Sequence, residues 1–339
     1  MKYTMAVLVV WLGFYAGAAR SQDTAPLRLV QTITMDPSVE GKFDHMAVDI
    51  KGGRLFLTAP KHHSIEVFDL KSGRSLHSVT GLGKPAGIVY LPASNQVLFS
   101  DGEPGSCAIL DASTYQVVGS VKLVADADSM GFDEAANVLY VVNGGKDINE
   151  KYSRLSVVDI KARKDVADIK IDGETLEAIA LEKSGSRIFV NVTALNKVAV
   201  IDRASRKIIA TWDVTAAKDN VSMGLDEPDH RLFLATRSPG MLLVLDSDSG
   251  KLVASVAAAG GVDDLAYDAQ HKRIYMSGAE GFVNVYQQKD ADTYESLAKI
   301  STGAGARNSK FIPEQNRLYV AVPASKGKPA EVQVYEVYP

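Results

Sequence analysis

Four acids, Asp44, Asp128, Glu177 and Asp263, stand at one aligned place in a repeating sequence, ten residues before a short apolar segment (nine for Asp128). Ala86, Val221 and Arg307 fill the same place in the other three repeats. The next position holds His45, Asp264 and Asn308 among smaller residues, and Asn220 comes just before Val221. Carboxylates gathered in one place repel, and a hard divalent cation such as Ca²⁺ relieves that repulsion with oxygen ligands. His45 would add a nitrogen suited to Zn²⁺ or another transition metal. Asp44, Asp128, Glu177 and Asp263 are therefore candidate metal ligands. His45, Asn220, Asp264, Arg307 and Asn308 are candidate ligand-binding residues. A plainer reading fits the same residues. Arg307 can pair with Asp263 and with Asp44, the other acids can cap backbone N–H groups, and the whole set is then a solvated channel entrance.

The loops flanking these positions add His62, His63, Asp101, Glu103, Asn143, Asn191 and Arg237. Side chains of successive loop residues diverge, so His62 and His63 read as an exposed pair and not as a metal clamp. The single cysteine, Cys107, cannot form an internal disulfide and reads as a small core residue. Asn191-Val192-Thr193 and Asn220-Val221-Ser222 match the glycosylation sequon. No nucleophile elbow, HExxH, P-loop or CxxC motif is present. Gly303-Ala304-Gly305-Ala306-Arg307 follows an outer strand and reads as a turn between repeats, not as a dinucleotide loop.

What must position these residues is a sevenfold repeat. RLFL (54–57), QVLF (96–99), NVLY (137–140), RIFV (187–190), RLFL (231–234), RIYM (273–276) and RLYV (317–320) recur at intervals of 41–50 residues. Propeller blades of four strands have this period. In each repeat a first strand ends near an acid, as in MAVD (46–49), and a polar turn leads into the recurring strand. A third strand ends in Asp (Asp69, Asp111, Asp159, Asp202, Asp246), where the side chain can bond turn N–H groups and start the reversal into a fourth strand. No helical crossovers intervene, so the strands are antiparallel. The expected fold is all-β, a seven-bladed β-propeller over residues 22–339. Its blades fall near 43–83, 84–125, 126–173, 174–218, 219–261, 262–304 and 305–339. The last repeat lacks a strand and LRLVQTIT (27–34) belongs to none, so the N-terminal segment is expected to close the ring and hide its edges. GGKDINEKYS (144–153), the one long insertion, is expected to be a polar surface loop. First strands start around one axis, so the aligned acids become neighbours at a channel mouth.

Residues 1–21 read as a secretory signal: Lys2 is basic, Met5–Ala19 is apolar, and Ala16-Gly17-Ala18 is a small-residue cleavage motif. The apolar run falls short of the roughly 20 residues of a membrane span. Removing it takes Lys2 and Arg20 and no acid, so 37 Lys and Arg become 35 against 41 Asp and Glu, a formal charge of −6. That balance argues against a nucleic-acid partner held by phosphate contacts. The expected location is periplasmic or secreted. The expected state is a monomer without a membrane span, with an unassigned small molecule or protein as partner at the channel face.

KVAVIDRASRKIIATWDV (197–214) and LLVLDSDSGKLVASV (242–256) resemble the YVTN-type propeller repeat. FDHMAVD (43–49), RIFVNV (187–192), GVDDLAYD (261–268) and GARNSKFIPE (305–314) resemble blocks of exported YncE-type proteins. The resemblance spans residues 27–339 and implies a propeller and export, but no activity. The repeats lack the Trp-Asp pairing of WD40 and the double glycines of kelch, and Trp212 is the only tryptophan after the leader. The expected function is an exported binding propeller with its site at the channel mouth. The alternative is a metal-dependent, lactonase-like hydrolase. Gluconolactonase-like propellers place Glu, Asn and Asp ligands around the channel, and Glu177, Asn220 and Asp263 or Asp264 offer those types.

Overall fold

The recurring second strands are apolar at nearly every position, as a strand must be when both faces of its sheet are covered. In the structure, a computed structural model that describes residues 25–339, Leu55, Phe56 and Leu57 are fully buried, as are Leu232, Phe233 and Leu234. Fourth strands carry their apolar residues to the surface, with Leu76, Val117 and Ile209 exposed. The leader read in residues 1–21 lies outside the described residues.

Each repeat folds as a four-stranded antiparallel sheet, and there are seven among the described residues. Blade 1 is Met46–Asp49, Arg54–Ala59, Ser64–Asp69 and Ser75–Val79, paired in that order. First strands of successive blades touch one another from blade 1 round to blade 7 and back to blade 1, so the ring is closed. Closure uses both chain ends. Leu27–Thr34 pairs antiparallel with Glu331–Val337, from Leu27 opposite Val337 to Thr34 opposite Glu331. The core is divided into seven apolar clusters, one between each pair of adjacent blades. Leu55 and Phe68 meet Tyr319 and Val332 between blades 1 and 7, and Phe189 and Val198 meet Leu234 and Leu243 between blades 4 and 5.

The aspartates that end the third strands act as expected. Asp69, Asp111, Asp159, Asp202 and Asp246 each accept a backbone N–H three residues on, at 2.6–2.8 Å. The insertion in blade 3 is shorter as a loop than expected. Gly144 completes the second strand opposite Ser153, Gly145–Ile148 make one 3₁₀ turn, and the third strand begins at Tyr152. The extra residues lengthen a strand pair because each added ladder position satisfies backbone groups that a loop would leave to water.

Candidate functional site at the channel mouth

The aligned acids occupy equivalent backbone positions. Asp44, Asp128 and Glu177 each donate their N–H to the end of the second strand in their own blade, at 3.0 Å to Thr58, Val142 and Asn191 oxygens. The next residue's carbonyl accepts in return, His45 from Thr58, Ser129 from Val142 and Ala178 from Asn191. In blades 5 and 6 the ladder shifts register at Val221 and Asp263. Such bulges re-aim side chains near functional rims.

These positions border a cavity of about 510 Å³, lined by Lys42, Phe43, Asp44, His45, Pro60, Lys61, Lys84, Asp128, Glu177, Arg237, Asp263 and Arg307. All seven blades contribute, each with at least one charged side chain. His45 and Asp264 also line a deeper chamber of about 270 Å³ with Met130 and Phe311. The opposite face opens into a wider cleft of about 1010 Å³ between blades 4 and 7, lined by Glu227, Tyr267 and Phe311 among others. His45 thus stands between mouth and interior.

Internal pairing takes up much of the charge. His45 Nδ1 lies 2.6 Å from Asp44 Oδ1, and its Nε2 is 3.9 Å from Asp264. Asp263 contacts two guanidiniums, Arg237 and, at 3.1 Å, Arg307, and accepts from Asn308 Nδ2 at 3.1 Å. Asp264 accepts the Ser309 N–H at 2.8 Å. Lys84 pairs with Asp126 at 2.9 Å. Of the two acids open to Arg307, Asp263 and Asp44, it contacts Asp263, while Asp44 is taken by its own neighbour His45. Nor is Arg307 the sole counter-charge, since Arg237 reaches Asp263 from blade 5.

The electrostatics follow from this crowding. Burial and then the charge of Asp44 raise the Asp128 carboxyl well above the usual carboxylate range. Burial and then Asp128 do the same to Glu177, with Arg237 pulling partly the other way. Asp264 is raised to about 6, by burial first, with His45 opposing. Burial works against charge on His45, but Asp44, Asp264 and Asp128 together outweigh it and raise the imidazole to about 10. The mouth therefore favours an imidazolium beside carboxyls that release their protons less readily than ordinary carboxyls.

Not every sequence candidate arrives here. Asn220 is fully buried, its amide nitrogen donating to Asn191 Oδ1 at 2.7 Å and to the Lys197 carbonyl at 2.9 Å, and it does not line the mouth. Asn143 is buried and bonded to Val141 and Ser156, and Asp101 accepts the N–H groups of Gly83 and Lys84. His63 turns to the Gly83 carbonyl while His62 acts at a distance on Asp36, so the adjacent histidines have different neighbours. Cys107 is buried and its thiol is pushed up to about 12 by desolvation. Among the described residues no group of three or more His, Cys, Asp or Glu side chains is placed to hold a metal ion.

No family model matches the chain. YncE of Salmonella typhi, a protein described as uncharacterized, is 26% identical over 255 residues, 70% of this chain and 69% of its own length. YncE of Escherichia coli K12, also uncharacterized, is 25% identical over 190 residues, 52% of each chain. The chain is a YncE-like seven-bladed propeller. Among solved structures, Kuenenia stuttgartiensis hydrazine synthase superposes with a TM-score of 0.73 at 14% identity, over 89% of this chain and 96% of that one. A chain of the mitotic checkpoint complex gives 0.72 at 12% identity, over 100% and 99%. At such identities the likeness shows the fold alone.

The mouth of this YncE-like propeller is more basic than its sequence suggested. Lys42, Lys61 and Lys84 line it, yet none occupies the aligned position. Lys84 lies two residues before Ala86, and Lys61 sits in the loop with His62. Their signal was a lysine within a few residues of a strand end, too common to single out. Among the described residues no helix is long and apolar enough to cross a membrane.

Proposed function

We propose that this YncE-like chain is an exported binding propeller whose ligand docks at the channel mouth. One observation carries the reading: all seven blades direct charged side chains into the same cavity of about 510 Å³. That size is within the range of small-molecule sites, where a few convergent polar groups set specificity. Export rests on the leader read in residues 1–21. The mouth offers charged recognition groups but no hydroxyl or thiol nucleophile among its lining residues. The lactonase-like alternative asks Glu177, Asn220 and Asp263 or Asp264 to converge on a metal, and the burial of Asn220 weighs against that ligand set.

The test is a small-molecule screen by thermal shift on the parent and on a double variant, Glu177→Gln with Arg307→Ala. Compounds that stabilise the parent are expected to lose their effect in the variant. Hits that survive the double substitution would put the site elsewhere. Metal content of the purified protein addresses the alternative. Stoichiometric Ca²⁺ or Zn²⁺ that disappears in Asp263→Asn would favour the hydrolase.

A further inference from the structure

The internal pairs at the mouth leave two sets of groups unengaged, and the ring order places them on opposite sides. Asp44 is held by His45, Asp126 holds Lys84, and Asp263 holds Arg237. Among the described residues, Asp128 of blade 3 and Glu177 of blade 4 accept no side-chain hydrogen bond and form no direct ion pair, feeling His45, Lys84 and Arg237 only at longer range. Arg307 of blade 7 comes nearest Asp263 at Nε, 3.1 Å away and without hydrogen-bond geometry, and its terminal nitrogens make no hydrogen bond among the described residues, which leaves them to donate. Lys42 and Lys61 of blade 1 line the same cavity, and neither ammonium has an ion-pair partner among the described residues. In a ring of seven, blade 7 faces the gap between blades 3 and 4, and blade 1 faces the gap between blades 4 and 5. The cavity is therefore bipolar across its axis, acidic at blades 3 and 4 and basic at blades 7 and 1.

We infer that the mouth binds a small amphoteric molecule, an amino acid or short peptide with free ends, its ammonium on Asp128 and Glu177 and its carboxylate on Arg307, Lys42 and Lys61. This rests on the mouth being the binding site and adds the ligand class. A ligand with one charge would satisfy one wall and leave the other unpaired in a partly desolvated site, which is costly. A molecule with both charges satisfies each wall, and Arg307 can meet a carboxylate with two parallel N–H donors. The ligand needs no metal, because its own ammonium supplies the positive charge that lets Asp128 and Glu177 ionise side by side.

Isothermal titration of the full mature chain with alanylalanine and alanine tests this, each offered free, N-acetylated and C-amidated, with EDTA present. At least one free compound is expected to bind, and blocking either end should weaken it by at least about tenfold, the scale of one lost charge-assisted hydrogen bond. Glu177→Gln should weaken the free and amidated forms and leave the acetylated form unchanged. Arg307→Ala should do the reverse, and circular dichroism melts confirm that both variants fold. Equal binding of free and blocked forms, or no binding at millimolar concentration, overturns the inference. In that event, a screening hit of another class that is lost in Arg307→Ala would keep the mouth as the site. If no compound responds to either variant, both readings fall.

Discussion

The blade interfaces and the channel mouth are made by the same seven repeats and obey opposite rules. Between blades, each repeat supplies the same kind of residue, because each must fill a similar gap: Leu55 between blades 1 and 7, Ile188 between 3 and 4, Ile274 between 5 and 6. Around the mouth the pattern changes from blade to blade, and only blades 3 and 4 are alike. Blade 1 offers an Asp–His pair and two lysines, blade 2 a lysine, blades 3 and 4 free acids, blade 5 an arginine, blade 6 an aspartate and blade 7 an arginine. Packing forces uniformity where space is closed. Where side chains face the axis that demand is lifted, and the chain is free to vary chemistry without losing the fold.

The comparison breaks first at the ring closure. Removing the strand Leu27–Thr34 exposes the edge of Glu331–Val337 and uncovers Val332 and Val334, both fully buried. A chain starting at Met35 is expected to aggregate or lose most of its stability, as read by gel filtration and thermal melting. A truncated chain that melts like the parent would sink the closure argument.

Next come single residues from the two regions. Phe189 is fully buried in the cluster between blades 4 and 5 and packs on Trp212 at 5.8 Å. Phe189→Ala should cost about 3–5 kcal/mol in denaturant unfolding. Arg307→Ala, at the mouth, should cost about 1 kcal/mol or less. Equal losses from the two would erase the distinction between a packed interface and a tolerant mouth.

The mouth should also make stability depend on pH. Asp128, Glu177 and Asp264 hold protons more tightly folded than unfolded, so their contribution falls as pH rises past the ordinary carboxylate value of roughly 4 and through their raised values, about 6 for Asp264. The charge on His45 stabilises fully below its ordinary value of roughly 6.5, and that contribution is lost as pH rises through about 10. Both trends have one sign. The melting temperature should fall by some degrees between pH 5 and pH 9, and Glu177→Gln should flatten the slope. A melting temperature that rises over that range contradicts this account.

The smallest effect expected is chemical. Cys107 lies in the cluster between blades 2 and 3 with its thiol pushed up to about 12. It should resist alkylation in the native protein and react at once in denaturant. Rapid native labelling would show that this interface opens.

The repeat strands were legible in the sequence because each is a run of apolar residues at a fixed period, and a strand covered on both faces needs little else. Closure by residues 27–34 followed from counting strands, since a ring cannot leave one blade short. The aspartates of the third-strand turns were legible because their partners lie three residues away. The mouth was half legible. Alignment set Asp44, His45, Asp128, Glu177, Asp263 and Arg307 around one axis, and all six line one cavity, because equivalent backbone positions on one axis become neighbours. It also counted Asn220, which the register shift at Val221 goes with and which is turned into hydrogen bonds with Asn191 and Lys197. Which acids are already paired, and that lysines outside the aligned position reach the cavity, depends on side-chain paths across blades, 26 residues apart for Arg237 and Asp263 and 42 for Lys84 and Asp126. Only the tertiary structure decides that, because a salt bridge between Arg237 and Asp263 or between Lys84 and Asp126 leaves no local trace in the chain.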